Sequence, residues 1–236
     1  MSSSIVNALP RDRLLVEVSL WSADLTRLAD EVARMEPWAD LYHFDVSDAH
    51  FVPGLLFFPA LVAALRPLSR KPFHVHLMTA DPRGLIDEFV DAGADIVSVH
   101  AENGPLVPAA LERIGARGRG RGLVLGPDVP VEVVAPHLEV LDIVTLMGTP
   151  MGVKGRGLVP QGEARMRALA ALVKACGAAG RVRLGADGGI REGTVPLLRR
   201  AGADLVVMGS LAFGSADTAA TFRWARSLAR DAEDLP

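Results

Sequence analysis

Cysteine is nearly absent from this 236-residue chain, Cys176 being the only one. An internal disulfide is therefore excluded, and a reducing compartment, by default the cytoplasm, is expected. Lysine is scarce too, occurring at Lys71, Lys154 and Lys174. None falls in a predicted strand, which argues against a Schiff-base aldolase built on a buried strand lysine. No apolar run reaches the roughly 18 residues of a membrane span, and the opening MSSSIVNALPRDR lacks the basic and apolar parts of a secretion signal. Formal net charge is −3, and basic residues cluster only in RGRGRG at 117–122. That run is too short to hold a nucleic-acid backbone. Neither membrane nor nucleic acid is an expected partner.

What is present is material for a core: 50% of residues are hydrophobic and 22% charged. The length is close to the roughly 250 residues of one eightfold β/α barrel. Residues 1–236 thus read as a single domain, with 1–12 a flexible or barrel-capping tail. Eight β-rich runs recur: 14–19, 41–46, 73–78, 95–100, 122–126, 142–147, 182–187 and 204–209. Each is followed by an amphipathic helical stretch, including PVEVVAPHL at 130–138 and the long PQGEARMRALAALVKACG. AGAD appears twice, at 92–95 and 201–204, as a glycine helix stop leading into a strand. A Rossmann-like open sheet is the competitor, but no GxGxxG opens the first helix. Eight βα units predict an α/β fold of the (β/α)8 TIM-barrel class.

Against this background YHFDVSDAHFV, at 42–52, is anomalous, because His43, Asp45, Asp48 and His50 interrupt a buried run. Burying even a neutral polar group without a partner costs roughly 2–7 kcal/mol. In such barrels chemistry sits at the carboxyl ends of the strands. Those ends carry Ser19, His43 with Asp45, His74 with His76, His100 with Glu102, Met147, Asp187, and Gly209 with Ser210. Side-chain alternation puts His43 with Asp45, and His74 with His76, on common faces. A lone strand histidine is more often a hydrogen-bonded core or rim residue. Together, His43, Asp45, His76 and Asp187 suit the first shell of a divalent zinc, iron or manganese ion.

ADGGI (186–190) and MGS (208–210) end the last two predicted strands. They offer backbone amides for a phosphate, or simply permit tight turns. The loop GTPMGVKGRGLVP, 148–160, carries Lys154 and Arg156 among glycines. It reads as a lid over an anionic substrate, with a solvated loop as the plain alternative.

With these motifs the chain resembles the ribulose-phosphate 3-epimerase family. SLWSADLTRL, HFDVSDAHFVPGLLFFPALV, HVHLM, AGADIVSVHAE, the Met147 loop, ADGGI and AGADLVVMGSLAFG follow the family's order. The resemblance implies a barrel of the ribulose-phosphate-binding type and inversion of C3 of a ketose phosphate through a cis-enediolate. It places the metal on His43, Asp45, His76 and Asp187, with Asp45 and Asp187 also acting as acid and base. It implies substrate contacts from Ser19, His76, Met78, Met147, Gly152, Lys154, Gly155, Arg156, Gly188, Gly189, Gly209 and Ser210. The cofactor it implies is a divalent ion, Zn2+ first, with Fe2+, Mn2+ or Co2+ as alternatives.

Departures concern the sugar. Ser47 stands where the family usually has methionine, Ala49 where it has glycine, His74 where it has aspartate, and PMGVKGR replaces NPGFGGQ. Ser47 offers a hydrogen bond beneath the enediolate. Lys154 and Arg156 favour a more anionic or differently sized ketose, such as a tetrulose or hexulose phosphate. Related decarboxylases carry D-x-K-x-x-D at the second strand, where this chain has D-V-S-D without the lysine. A non-catalytic phosphosugar-binding barrel, and a hydrolase-like site using His74 in place of His76, are further alternatives. Apolar Phe51, Leu55, Phe57 and Phe58 after the second strand suit either a cover over the active site or a subunit interface, and a homo-oligomer is expected.

Overall fold

The structure, a computed structural model, describes residues 5–230. Eight parallel strands run β1 Leu15–Ser19, β2 Leu41–Asp48, β3 Phe73–Met78, β4 Ile96–His100, β5 Gly120–Leu125, β6 Ile143–Met147, β7 Arg183–Asp187 and β8 Leu205–Met208. β8 pairs back onto β1, so the sheet closes as a TIM barrel. Helices α1 Leu28–Met35, α2 Pro59–Leu65, α3 Arg83–Asp91, α4 Val107–Ala116, α5 Gly162–Ala175, α6 Val195–Arg200, α7 Ser210–Phe213 and α8 Thr218–Ser227 cover it. In α1 the buried residues Leu28, Val32 and Met35 recur at helical spacing. Each contributes about 1.5–3 kcal/mol by leaving water. No helix among the described residues is long and apolar enough to cross a membrane.

Two details differ from expectation. The segment between β5 and β6 is a 3-10 helix, Val131–His137, rather than an α-helix. Pro136 lies inside it and removes a donor, while Val131, Val133 and Val134 are stiff at χ1. After β2 the chain doubles back, and a two-residue strand, Leu55–Leu56, pairs antiparallel with Ser47 and Asp48. In that hairpin Phe57 is buried against Phe44, whereas Leu55 and Phe58 are exposed.

Strand alternation sorts the barrel. Val16, Val18, Phe44, Val75, Leu77, Val97, Val99 and Val144 join the cluster packed under the helices. On the inner side Leu15, Leu41, Ile96, Ile143, Leu205 and Val207 form a separate apolar plug with Val6. Val6 belongs to a short 3-10 helix, Ile5–Ala8. Beside the plug, the buried Arg183 donates through Nη2 to the carbonyls of Leu9 (2.6 Å) and Pro10 (2.9 Å). Of the expected N-terminal tail, residues 1–4 lie outside the described residues. Above the plug the interior turns polar, through Glu17, His43, His74 and Ser98, and then opens at the carboxyl ends of the strands.

Candidate active site and metal centre

Register brings the ionisable residues together. Ser19 is the Cα partner of His43 across β1 and β2, Asp45 of His76 across β2 and β3, and Met147 of Asp187 across β6 and β7. His43 Nε2 lies 3.3 Å from His76 Nδ1, 3.3 Å from Asp45 Oδ1 and 3.7 Å from Asp187 Oδ2. His76 Nδ1 lies 3.5 Å from Asp45 Oδ1 and 3.7 Å from Asp187 Oδ2. Ligands about 2.0–2.1 Å from a tetrahedral zinc ion stand about 3.3–3.4 Å apart. The four donor atoms therefore fit a divalent ion, and their N2O2 chemistry suits several.

The two carboxylates sit in unlike surroundings. Burial raises the pKa of Asp45, but His43 and His76 outweigh it and hold the group well below the usual range. Ser19 Oγ also donates to Asp45 Oδ2 at 2.7 Å. Asp187 is pushed up to about 6, first by burial and further by Asp45, against the opposing pull of His43 and His76. Burial lowers His76 to about 4, while the acids facing His43 outweigh burial and raise it.

The cluster floors a cavity of about 310 Å3. Most expected substrate contacts line it: Ser19, Met78 and Met147 on the walls; Gly152, Lys154, Gly155 and Arg156 from the β6 loop; Gly188, Gly189, Gly209 and Ser210 on the far rim. His43 and His76 lie beneath the lining. Trp21, Thr149 and Arg191 also line the cavity and were missed. Arg191 follows directly on ADGGI, so a cation beside a phosphate-type turn was a readable signal.

Glycine at the rim has a local cause. Gly188 and Gly189 have φ of 83° and 69°, and a Cβ on Gly189 would meet the backbone nitrogen of Leu158 at 2.5 Å. The loop after β6 therefore packs directly on the turn after β7. Lys154 Nζ donates to the Trp21 carbonyl and stands 4.7 Å from the Trp21 ring centroid. The loop thus spans the cavity from β6 to the residues after β1.

Several polar residues play other parts. Ser47 does not face the cavity, because its Oγ donates to the Gly54 carbonyl at 3.0 Å and ties down the hairpin after β2. Asp48 accepts from the amides of His50 (2.9 Å), Phe51 (2.8 Å) and Ala80 (2.7 Å), which resolves the anomaly at 48–50 as loop anchoring. His74 is not interchangeable with His76. It lies one layer deeper, with Nδ1 2.6 Å from Glu17 Oε1 and Nε2 2.6 Å from Ser98 Oγ. His76 Nε2 meets His100 Nε2 at 2.7 Å, and His100 Nδ1 lies 3.2 Å from Glu102 Oε2.

Residues 15–213 match the ribulose-phosphate 3 epimerase family. The chain is 40% identical over 202 residues to "Ribulose-phosphate 3-epimerase 1" of Cupriavidus necator, covering 84% of each chain. It is 36% identical over 203 residues to "Ribulose-phosphate 3-epimerase" of Bacillus subtilis, covering 86% of this chain and 93% of that one. Among solved structures, 3-keto-L-gulonate-6-phosphate decarboxylase from Vibrio cholerae superposes with a TM-score of 0.70 at 16% identity. It covers 90% of this chain and 97% of that chain, a likeness of fold alone. The length of the match and the level of identity place this chain in the ribulose-phosphate 3-epimerase family.

Proposed function

We propose that the chain is a metal-dependent epimerase that inverts C3 of a phosphorylated ketose, of the ribulose 5-phosphate and xylulose 5-phosphate type. The observation that carries this reading is the sharing of one four-donor cluster by Asp45 and Asp187, from non-adjacent strands, at the floor of the cavity. A phosphosugar-binding barrel without chemistry has use for the glycine and cation rim. It gains nothing from two buried acids whose affinities for protons are driven apart.

His43 Nε2, Asp45 Oδ1, His76 Nδ1 and Asp187 Oδ2 would hold the ion, zinc first and iron, manganese or cobalt as alternatives. When bound, such an ion supplies Lewis acidity toward oxygens on which negative charge develops. The chain's own residues move the proton. Asp45, ionised and fixed by Ser19, takes it from C3 of the epimer that presents hydrogen on that side. Asp187, from the opposite side of the barrel, delivers a proton to the other face of the cis-enediolate. The reverse reaction exchanges the two roles.

Gly188, Gly189, Gly209 and Ser210 lie where backbone amides could receive the phosphate. Lys154, Arg156 and Arg191 add positive charge around the same cavity. These cations favour a second reading for specificity alone, in which a tetrulose or hexulose phosphate is preferred. A panel of tetrulose, pentulose and hexulose phosphates, followed for C3 epimerisation and solvent deuterium uptake with added Zn2+, tests class and specificity together. No exchange with any of them overturns the epimerase in favour of the binder.

A further inference from the structure

Below the four-donor cluster the barrel encloses a second ionisable group for which the proposed reaction has no use. Glu17, on β1, is fully buried at 0% exposure. Its Oε1 lies 3.0 Å from His43 Nδ1 and 2.6 Å from His74 Nδ1. His74 is in turn fixed through Nε2 by Ser98 Oγ at 2.6 Å. Space for this arrangement depends on Gly122, where a Cβ would stand 1.7 Å from Ser98 Oγ.

Two properties show what holds Glu17, His43 and His74 together. Glu17 Oε1 is hydrogen-bonded to His43 Nδ1 at 3.0 Å and in 2.6 Å ion-pair contact with His74 Nδ1, both closer than the 3.3–3.7 Å spacing of the donors above. A proton therefore joins Glu17 to His43, with His74 Nδ1 in ion-pair contact beside them. Glu17 Oε2 is buried without a hydrogen-bond partner among the described residues, so one oxygen of the carboxylate is committed to the histidines and the other to none.

The orientation of His43 supplies the rationale. Its Nε2 faces the ion-binding cluster and its Nδ1 faces Glu17, so a metal-ligating His43 carries its proton on Nδ1 and donates it to Glu17. We propose that Glu17 is a positioning residue, which fixes the tautomer and ring plane of His43 so that the Nε2 lone pair addresses the metal, with His74 and Ser98 holding the Glu17 carboxylate in place. Partners of this kind typically change metal affinity 10–100-fold. The inference rests on the metal reading of the site given above.

The test uses the full chain, stripped of metal, as parent, Glu17→Leu and Glu17→Gln. Co2+ serves as the probe, read by chelator competition and by its visible d–d spectrum, and folding is read by circular dichroism and thermal melting. The expected result is one tightly bound Co2+ in the parent. Glu17→Leu should bind 10–100-fold more weakly with an altered spectrum, and its metal-free melting temperature should fall, because buried His43 and His74 lose their acceptor. Glu17→Gln keeps an acceptor for His43 Nδ1 and should recover most of the affinity and the parent spectrum. Parent-like affinity in a folded Glu17→Leu overturns the proposal. If that variant does not fold, Glu17→Ala takes its place, with the same 10–100-fold loss expected and parent-like affinity overturning the proposal. A parent that binds no Co2+ instead overturns the metal reading itself, which separates the two failures.

Discussion

Ser19 Oγ, at the end of β1, donates a 2.7 Å hydrogen bond to Asp45 Oδ2, leaving Oδ1 turned toward His43 and His76. One oxygen of the carboxylate is thereby anchored and the other is available to the cluster. Hydrogen bonds to charged groups contribute about 1.5–3 kcal/mol. Ser19→Ala is expected to leave the fold intact and lower kcat/KM for C3 epimerisation by roughly 10–100-fold. Steady-state kinetics beside a thermal melt check this, and an unchanged kcat/KM would remove Ser19 from the mechanism.

Two acids facing opposite sides of one carbon make a sharper prediction. Asp45→Asn and Asp187→Asn should each lower epimerisation by about 10^2–10^4, the usual contribution of a general acid or base. The damage should not be symmetrical in D2O. With one carboxylate intact, exchange at C3 should persist for the epimer that presents hydrogen to it and vanish for the other. Proton NMR of each ketose phosphate reads this directly, and equal washout from both epimers in either variant contradicts the two-acid arrangement.

The barrel itself was legible because most strands are short apolar runs preceded by a turn signal. AGAD, at both of its occurrences, leads into a strand that begins within a residue of its aspartate, β4 at Ile96 and β8 at Leu205. The donor set was legible for a related reason: alternation fixes which residues share a face, and the carboxyl ends of the strands fix where chemistry sits. What the sequence hid were partners chosen in three dimensions. Ser47 has the inward parity of His43 and Asp45, yet bonds to Gly54 because the chain doubles back there. Glu17 read as part of an apolar strand run, although its separation of two from Ser19 already put it on the inner face. Its pairing with His43 and His74 depends on three strands meeting, which no local pattern encodes.

Lys154 provides a test of the loop after β6. Its ammonium group donates to the Trp21 carbonyl and stands 4.7 Å from the ring centroid, with burial lowering its pKa. The side chain thus ties the loop to β1 and adds charge beside the cavity. Lys154→Met retains the length and loses both. KM for a phosphorylated ketose is expected to rise about 5–50-fold with a smaller change in kcat, in line with the 1–3 kcal/mol of a partly desolvated cation contact. Added salt should raise KM in the parent more than in the variant. A KM independent of both substitution and salt would make the loop a bystander.

The raised pKa of Asp187 has a consequence for stability without metal. Its folded-state value of about 6 lies above the ordinary 3.8, because burial and the neighbouring Asp45 disfavour the charged form. Folding therefore favours the proton. The stabilisation is fully present below about pH 4 and is lost as pH rises through about 6. Above that, ionising Asp187 in the metal-free barrel costs on the order of 2–3 kcal/mol. Asp187→Asn removes the charge, so the metal-free variant should melt higher than the metal-free parent at pH 7.5, with the gap closing toward pH 4. Zn2+ should reverse the order at pH 7.5, because the parent gains binding energy that the variant lacks. Thermal melts at several pH values, with and without Zn2+, read both signs. A metal-free parent more stable than Asp187→Asn at pH 7.5 would mean that the Asp187 carboxylate is compensated by the fold itself rather than reserved for a cation.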